Sequence, residues 1–277
     1  MSVIKVNNIT NRDGTSGPVF AGITTVSSTS HMVVPTGNTG QRVGLAPDPF
    51  INNLVLALPF NSESVFSDIS PRGIGIGPVG LGTTTASLPF GVSGVTTTSP
   101  GITTFSKYYG NSCFFNGNTQ YFTTAGIPDL VNDLTIETWF HMYGMTPPSG
   151  NINPRIVGSS GGFNLVIQSD GTVRLDLSAV YYSSVGLVTS GVWNHIAYTR
   201  SGNTNTVYLN GIVAITTTTS TAGPTISGNN FVIGREYNQS SWFYGYMQDL
   251  KVYNGVAKYT GISTTSANFT PPNQIAI

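Results

Sequence analysis

Carboxylates are the side chains of this sequence with the clearest catalytic potential, because glycoside hydrolysis needs two of them flanking the scissile bond. The chain has three glutamates, Glu63, Glu137 and Glu236, and they are far apart in the sequence. Asp176 is two residues from Arg174, so both side chains fall on the same face of a predicted strand. The sequence therefore predicts no pair of free carboxylates and argues against a hydrolase.

Nucleophilic and zinc chemistry find little support either. The three histidines, His31, His141 and His195, are scattered along the chain. These histidines and the single cysteine, Cys113, lack the spacing of zinc ligands. We therefore predict that the chain is not an enzyme, and that His141 and His195 have structural roles.

Two short aromatic segments contain candidate ligand contacts. Tyr181 and Tyr182 are adjacent, and Trp242 and Tyr244 are separated by one residue. Carbohydrate sites combine an aromatic platform with nearby amides or acids, so these four residues are predicted to contact a glycan. Tyrosine and tryptophan are also enriched in protein interfaces, and contact with a protein partner is the alternative for the same residues.

The composition favours a β-rich surface protein without long-range charge attraction. Charged residues make up 8% of the chain, while hydrophobic residues make up 39% and aromatic residues 11%. The chain can therefore bury a core, but Thr, Ser, Asn and Gly must cover much of its surface. The formal net charge is zero and the pI is about 6.8. We expect no binding to nucleic acid and no attraction to anionic lipid.

The only cysteine cannot form a disulfide within the chain, so the fold must depend on packing and hydrogen bonds. This suits folding in a reducing cytoplasm. The first six residues are followed by the polar pair Asn7-Asn8 and not by an apolar segment, so no secretory signal is expected. The longest apolar run, residues 54–60, is too short to span a bilayer, so no membrane insertion is expected.

The chain is patterned as short strands rather than helices. Runs of β-branched and aromatic residues are bounded by Gly, Pro, Asn or Asp. Asp170-Gly171 and Asn210-Gly211, between alternating apolar runs, predict hairpins and therefore antiparallel sheets. The clearest predicted strands are residues 113–115, 120–123, 134–141, 156–157, 163–168, 173–177, 193–200, 206–209, 212–215, 231–234 and 244–253.

Two segments differ from this pattern. Residues 1–45 hold a few strand candidates but too few apolar residues for a core. They predict an arm that pairs with a partner protein or with the same arm in an oligomer, ahead of a main domain at residues 46–277. Residues 73–100, rich in Gly, Thr and Ser, predict a long irregular insertion in that domain.

Five segments of the main domain match a known family pattern. They are YYGNSCFFNG at residues 108–117 with QYF at 120–122, LTIETWF at 134–140, WNHIAYTR at 193–200, YLNG at 208–211 and GYMQDLKVY at 245–253. From about residue 50 the chain therefore resembles a laminin-G-like domain of the concanavalin A-like lectin/glucanase superfamily. The resemblance implies an all-β, antiparallel two-sheet jelly roll, with a hairpin around Asn116-Gly117. This fold carries enzymes, lectins and inert modules alike.

The resemblance has further implications for individual residues. Trp139 and Trp193 would alternate into the core. The Glu-x-Asp-x-x-Glu strand of the superfamily's hydrolases is missing here. Family members often bind calcium through loop oxygens, which makes Asp68 and Asp249 the candidate calcium ligands, with a turn cap as the alternative for Asp68. No other cofactor is expected.

The ends of the chain are similar to structural proteins of tailed bacteriophages, including those of marine cyanobacterial phages. The matching segments are IKVNNI at residues 4–9, GPVF at 17–20, NGVAKYT at 254–260 and FTPP at 269–272. This similarity implies a non-enzymatic protein of the virion surface, made in the host cytoplasm.

On this interpretation the protein is a head decoration or fibre protein, or a tail-fibre component, that adheres to host glycans. Residues 1–45 would bind other virion proteins, and the chain would be a homo-oligomer such as a trimer. The alternative is a free carbohydrate-binding module or lectin, and the third hypothesis is a glycoside hydrolase.

Overall fold

The structure, a computed structural model, shows a β-sandwich. It describes residues 32–33, 42–43, 48–60, 68–79, 101–103, 105–108, 111–150, 153–177, 179–183, 187–219, 226–237 and 241–272. The chain divides into two units, Met1–Ala46 and Pro47–Ile277. In the first unit, β1 (Met32–Val33) pairs antiparallel with β2 (Arg42–Val43). The other strand candidates of the arm lie outside the described residues, and its binding role stays a prediction.

The second unit contains two antiparallel sheets. In spatial order, the eight-stranded sheet contains β15 (Ile212–Thr218), β14 (Thr204–Leu209), β13 (Trp193–Ser201), β8 (Leu134–Met142), β17 (Tyr244–Asn254), β6 (Ser112–Asn116) and β5 (Gly101–Thr103), with β3 (Leu54–Leu58) also beside β17.

The seven-stranded sheet contains, in spatial order, β12 (Val180–Tyr182), β11 (Val173–Asp176), β10 (Asn164–Ile167), β9 (Arg155–Ser159), β16 (Phe231–Ile233), β7 (Tyr121–Ala125) and β4 (Gly75–Val79). Two short 3-10 turns, Ile51–Asn53 and Gly228–Asn230, are the helical elements of the described residues. None of the described helical segments is long and apolar enough to cross a membrane. The predicted fold class is confirmed.

One hydrophobic core lies between the two sheets. Strand alternation directs Ile136 and Phe140 of β8 and Leu165 and Leu175 of the seven-stranded sheet into it. All nine residues of β8 are buried, which means that its outer face is covered as well. The C-terminal segment, residues 255–272, covers most of this face through contacts described below, and aromatic rings outside that segment cover His141.

A β-bulge in β17 divides one edge of that strand between two partners. Tyr244–Met247 pairs with β6, and the residues from Leu250 to Tyr253 pair with β3. Between them Asp249 has φ of +56°, and the register against β8 shifts by one residue. The bulge is therefore the point at which two short strands meet end to end along one long strand.

The predicted turns are confirmed at two places and wrong at a third. Asp170-Gly171 joins β10 to β11 and Asn210-Gly211 joins β14 to β15, both as antiparallel hairpins. Asn116-Gly117 does not close a hairpin, because β6 and β7 belong to different sheets. The side chain of Asn116 accepts backbone hydrogen bonds from Asn118 and Thr119 at 3.0 Å, and this turn carries the chain across the sandwich.

Two strands depart from the sequence-based expectation. Gly75–Val79 is the edge strand β4, so the predicted irregular insertion is wrong for these residues; residues 80–100 lie outside the described residues. An edge strand tolerates Pro78 and glycine because one side of its backbone needs no partner. Leu54–Leu58 forms β3, and all five of its residues are buried. Because none of them faces solvent, its sequence lacks the alternation of apolar and polar residues that marks a strand.

The two tryptophans predicted in the core are on the outer face of the eight-stranded sheet. Phe140 and Met142 occupy the inward positions of β8, which turns Trp139 outwards. There the indole Nε1 of Trp139 donates a hydrogen bond of 2.8 Å to the carbonyl oxygen of Pro272. Trp193 is partly buried on the same face and stacks on Phe105 with ring centroids 5.7 Å apart.

Candidate functional site

The outer face of the seven-stranded sheet carries an unusual set of polar side chains. Because Leu165 and Leu175 point into the core, their neighbours Asn164, Arg174 and Asp176 point outwards. We use the name polar face for the surface formed by Arg155, Asn164, Arg174, Asp176, Tyr182 and Glu236.

Two ion pairs organise the polar face. Arg174 donates to Asp176 through Nε at 2.6 Å and through Nη2 at 2.9 Å, a bidentate contact. The hydrogen bond to Asp176 raises the pKa of Arg174. Arg155 Nη2 lies 2.7 Å from Glu236 Oε2. Burial lowers the pKa of Arg155, and the charge of Glu236 opposes that shift. Both carboxylates of this face are thus held by arginines.

Two buried polar atoms of the polar face make no hydrogen bond to any described residue: Nε of Arg155 and Oδ1 of Asn164. Arg155 is 5% exposed and Asn164 is 4% exposed. A buried donor or acceptor without a partner is costly, and because both atoms are shielded from solvent, a ligand could reach them only if the side chains around them moved. The side chains of this face that a ligand can reach directly are the more exposed ones, Arg174, Glu236 and Tyr182.

The segment after β16 lies directly on this face. A Cβ atom on Gly158 would be 2.7 Å from Asn164 Oδ1 and 2.9 Å from the carbonyl oxygen of Arg235. Glycine is therefore required at this position for the segment to approach the sheet. The backbone of Glu236 donates to Ser241 O at 3.1 Å, and Arg235 forms an isolated bridge with Trp242.

Aromatic rings flank the polar face on both sides. On the β12 side, the Arg174 guanidinium lies 5.9 Å from the ring of Tyr182, and Tyr182 is 55% exposed. On the β7 side, the Arg235 guanidinium lies 4.4 Å from the ring of Tyr121 and 4.9 Å from that of Trp242. These are cation–π distances, and they fix the orientation of the rings.

The structure brings two of the four predicted contact residues to this face. Tyr182 and Trp242 are at its two ends, on opposite sides of the ion pairs. Tyr181 has the opposite orientation and packs against the core. Tyr244 lies on the eight-stranded sheet, where its ring centroid is 4.9 Å from that of Tyr143. A role in glycan contact stays a prediction for all four.

The two candidate calcium ligands have protein partners. The carboxylate of Asp68 accepts backbone hydrogen bonds from Ala57 and Ser70 at 2.8 and 2.9 Å and from Ile74 at 2.7 Å. Such an arrangement is that of a turn cap. Asp249 Oδ2 lies 3.1 Å from the ammonium group of Lys251. Across the described ranges, no group of three or more His, Cys, Asp or Glu side chains is placed to hold a metal ion.

A segment with the spacing of a serine nucleophile elbow, Gly158–Gly162, comprises the end of β9 and the start of the turn to β10. An elbow requires a strand followed by a helix, whereas this turn connects two strands of one sheet. Ser160 accepts a hydrogen bond of 3.0 Å from the side chain of Asn230, so its role here is structural.

Glu137 is not the isolated residue that the sequence suggests. Its carboxylate lies 2.7 Å from Lys258 Nζ and 3.5 Å from His195 Nε2, and it accepts a hydrogen bond of 2.6 Å from Tyr259. Local sequence does not reveal these partners, because they come from β13 and from the C-terminal segment. His141 packs among aromatic rings on the same outer face, and burial lowers its pKa.

Arg155, Asn164 and Glu236 were not identified from the sequence as site residues. Alternation along β10 and β11 would have placed Asn164 outwards, and that was the available signal. The pairing of Arg155 with Glu236 depends on the position of β16 next to β9 in the sheet, which the sequence does not reveal.

Comparison with known proteins agrees with this architecture. Residues 116–263 match the family model described as the concanavalin A-like lectin/glucanases superfamily. The chain has no significant match among curated proteins.

Three solved structures illustrate the shared fold. Domain 4 of an extracellular arabinanase from Geobacillus stearothermophilus, in complex with arabinotriose, has a TM-score of 0.51 and 18% identity, with 73% of this chain and 93% of that chain covered. The binding domain of Paraclostridial mosquitocidal protein 1 has a TM-score of 0.53 and 16% identity, with coverages of 74% and 49%. The botulinum neurotoxin serotype D ligand-binding domain, in complex with N-acetylneuraminic acid, has a TM-score of 0.50 and 12% identity, with coverages of 74% and 48%.

The chain thus spans about half the length of the two toxin domains. At these identities the likeness shows the fold alone. The family match, which covers more than half of the sequence, shows that the chain belongs to the concanavalin A-like lectin/glucanases superfamily.

Proposed function

We propose that the chain is a non-enzymatic carbohydrate-binding protein and that the polar face is its glycan site. The observation that carries this proposal is the bidentate ion pair of Arg174 and Asp176 beside the exposed ring of Tyr182. The ion pair lies on a sheet face with the aromatic rings of Tyr182 and Trp242 at its two ends. A few polar groups set beside aromatic rings is the composition that sugar sites use.

The ligands of two structural neighbours agree with this proposal. The arabinanase domain was solved with arabinotriose and the neurotoxin domain with N-acetylneuraminic acid. These sugars belong to those proteins, and they are reasonable first probes for this one.

The polar face supports binding better than hydrolysis. A general acid needs a carboxyl group that can hold a proton near neutral pH. Asp176 is bound to Arg174, and Glu236 is bound to Arg155. Their oxygens are occupied by guanidinium groups, so neither carboxylate is positioned to give a proton to a substrate. We propose that the protein has no catalytic activity and needs no cofactor.

A glycan array tests the proposed site. The full chain should bind at least one oligosaccharide, and Arg174→Ala should lose most of that signal. Asn118→Ala, which changes an exposed amide in the turn between β6 and β7, should bind as the wild type does. A folded wild-type chain that binds no glycan, including arabinotriose and N-acetylneuraminic acid, would refute the proposal.

We further propose that this lectin-like domain belongs to a virion surface protein of a tailed phage. The support is the similarity of residues 4–9, 17–20, 254–260 and 269–272 to phage structural proteins. Residues 1–45 would attach the sandwich to other virion proteins or form a homo-oligomer, and the polar face would adhere to host glycans. A free lectin is the competing hypothesis.

Immunogold labelling of phage particles with an antibody against residues 46–277 distinguishes the two. Gold on the head supports a decoration or head-fibre protein, and gold on the tail supports a fibre component. Particles without gold, from lysates in which the antibody detects the chain, would favour the free lectin.

A further inference from the structure

A second cluster of reactive side chains lies on the opposite side of the molecule from the polar face. It is formed by Asp48, Glu137, Tyr253, Lys258 and Tyr259, on the outer face of the eight-stranded sheet. We call it the lysine cluster. It joins the first described residue of the sandwich unit to the segment that follows its last strand.

Lys258 is at the centre of this cluster. Its Nζ atom lies 2.7 Å from Glu137 Oε1, 3.0 Å from the Tyr253 hydroxyl and 3.8 Å from Asp48 Oδ2. The Tyr253 hydroxyl donates a hydrogen bond to Asp48 Oδ2. The amine of Lys258 is therefore in contact with the carboxylate of Glu137 and close to that of Asp48. The Asp48 carboxylate already accepts a hydrogen bond from Tyr253.

The cluster is buried and lined by aromatic rings. The exposed side-chain fractions are 1% for Glu137, 4% for Asp48 and 10% for Lys258. Lys258 Nζ lies 4.1 Å from the ring centroid of Tyr253, 5.5 Å from that of Tyr259 and 5.9 Å from that of Phe50. Burying charges in such surroundings costs far more free energy than burying a neutral amide.

We propose that Lys258 and Asp48 form an intramolecular isopeptide bond and that Glu137 is the catalytic residue that carries the proton. A buried amine, a carboxyl within 4 Å and a second carboxylate as proton carrier meet the requirements of this condensation. Holding the reactants together in this way gives an intramolecular reaction effective molarities of about 10⁵ M or more.

The step balances without a further reactant. Lys258 Nζ first gives a proton to Glu137, and the neutral amine attacks Cγ of Asp48. The N–C bond forms, and one oxygen of Asp48 leaves with the proton from Glu137 and a second proton from Nζ. The products are an amide and one water molecule, and Glu137 returns to its starting state.

The electrostatics of Glu137 fit this role. Burial raises the pKa of Glu137, but Lys258, followed by His195 and Lys251, outweighs burial and leaves the pKa below its ordinary value. Much of this lowering depends on the positive charge of Lys258. When the proton crosses the 2.7 Å hydrogen bond, both charges disappear and burial then favours the neutral acid.

The bond would join the start of the sandwich to its C-terminal segment. Cys113, the one cysteine of the chain, is buried and unpaired, so the protein has no disulfide to serve this purpose. A covalent link between residues far apart in sequence restricts the unfolded chain, as a disulfide does. The link would also keep the C-terminal segment in place under mechanical load.

Intact-mass spectrometry of the full-length chain provides the test. The folded protein should be lighter than its sequence by one water molecule, and tandem spectra should show a peptide containing Asp48 joined to one containing Lys258. An unchanged mass would overturn the proposal. A link from Lys258 to Glu137 would overturn the assigned roles.

Four variants sharpen this test. Lys258→Ala should have the full mass of its own sequence, while Lys107→Ala, at a half-buried lysine outside the cluster, should still lose water. Asp48→Asn should lose ammonia instead of water, because an amide releases its nitrogen in the same reaction. Glu137→Gln should abolish or greatly slow the mass loss; loss at the wild-type rate would overturn its role as proton carrier.

Discussion

Arg155 Nη2 lies 2.7 Å from Glu236 Oε2, and this ion pair holds the segment after β16 against the outer face of the seven-stranded sheet. The side chains are 7% and 22% exposed, so the pair is largely removed from water. A buried pair of this kind matters most when one partner is lost, because the remaining charge is then uncompensated.

Glu236→Gln should lower the free energy of unfolding by about 1–3 kcal/mol, because Arg155 stays charged without its partner. Urea unfolding of the full chain measures this loss. The double variant Arg155→Met/Glu236→Gln should recover part of it, since no buried charge remains. If the loss of unfolding free energy in the double variant equalled the sum of the losses in the two single variants, Arg155 and Glu236 would not stabilise each other.

Tyr182→Ala should weaken glycan binding by about 2 kcal/mol, roughly 30-fold, because contact aromatics typically contribute that much. Tyr143→Ala is the matched control, since Tyr143 is also an exposed tyrosine, at 40% against 55% for Tyr182, and lies on the other sheet. Calorimetric titration with the best oligosaccharide from the array gives both affinities. Equal losses in the two variants would contradict the assignment of the site to the polar face.

The stability of the sandwich should fall as the pH drops through the ordinary histidine pKa of about 6.5, and His141 should contribute to that fall. Burial lowers the pKa of His141 in the folded state, so the unfolded chain binds the proton more readily. The stabilisation is complete above the ordinary pKa and is lost as the pH decreases, by up to about 1.4 kcal/mol per pH unit. His141→Phe should show a smaller loss than the wild type between about pH 8 and about pH 5 in urea unfolding. If the stability of His141→Phe depended on pH as strongly as that of the wild type, groups other than His141 would be responsible for the pH dependence.

Trp139→Phe should loosen the end of the C-terminal segment. The substitution removes the hydrogen bond of 2.8 Å to Pro272 O and should cost about 1 kcal/mol. Hydrogen–deuterium exchange at residues 266–270 should become faster, whereas Trp242→Phe, on the other sheet, should leave it unchanged. Unaltered exchange in Trp139→Phe would mean that other contacts hold this segment.

The sequence predicts the sandwich well where local chemistry decides the structure. Alternation of apolar and polar residues identifies β8 and β13. Asn210-Gly211 marks the hairpin between β14 and β15 because both residues adopt positive φ, 52° and 83°. Asn116-Gly117 has the same turn chemistry but links two different sheets. A turn signal shows where the chain reverses, and packing of the whole domain decides which sheet receives the next strand.

The candidate sites were harder to predict because their members come from distant parts of the chain. Tyr182 and Trp242 could be chosen from residue type alone. Glu137 and Lys258 are both charged residues in unremarkable local sequence, and only the C-terminal segment folding over β8 brings them to 2.7 Å. Their proximity follows from tertiary structure, which periodicity does not encode.

A crystal structure of the full chain with the oligosaccharide that binds most tightly on the array would test the glycan site most directly. The sugar should lie on the polar face against Tyr182 or Trp242, with its hydroxyl groups hydrogen-bonded to Arg174 or Glu236. A sugar bound on the outer face of the eight-stranded sheet would contradict the account.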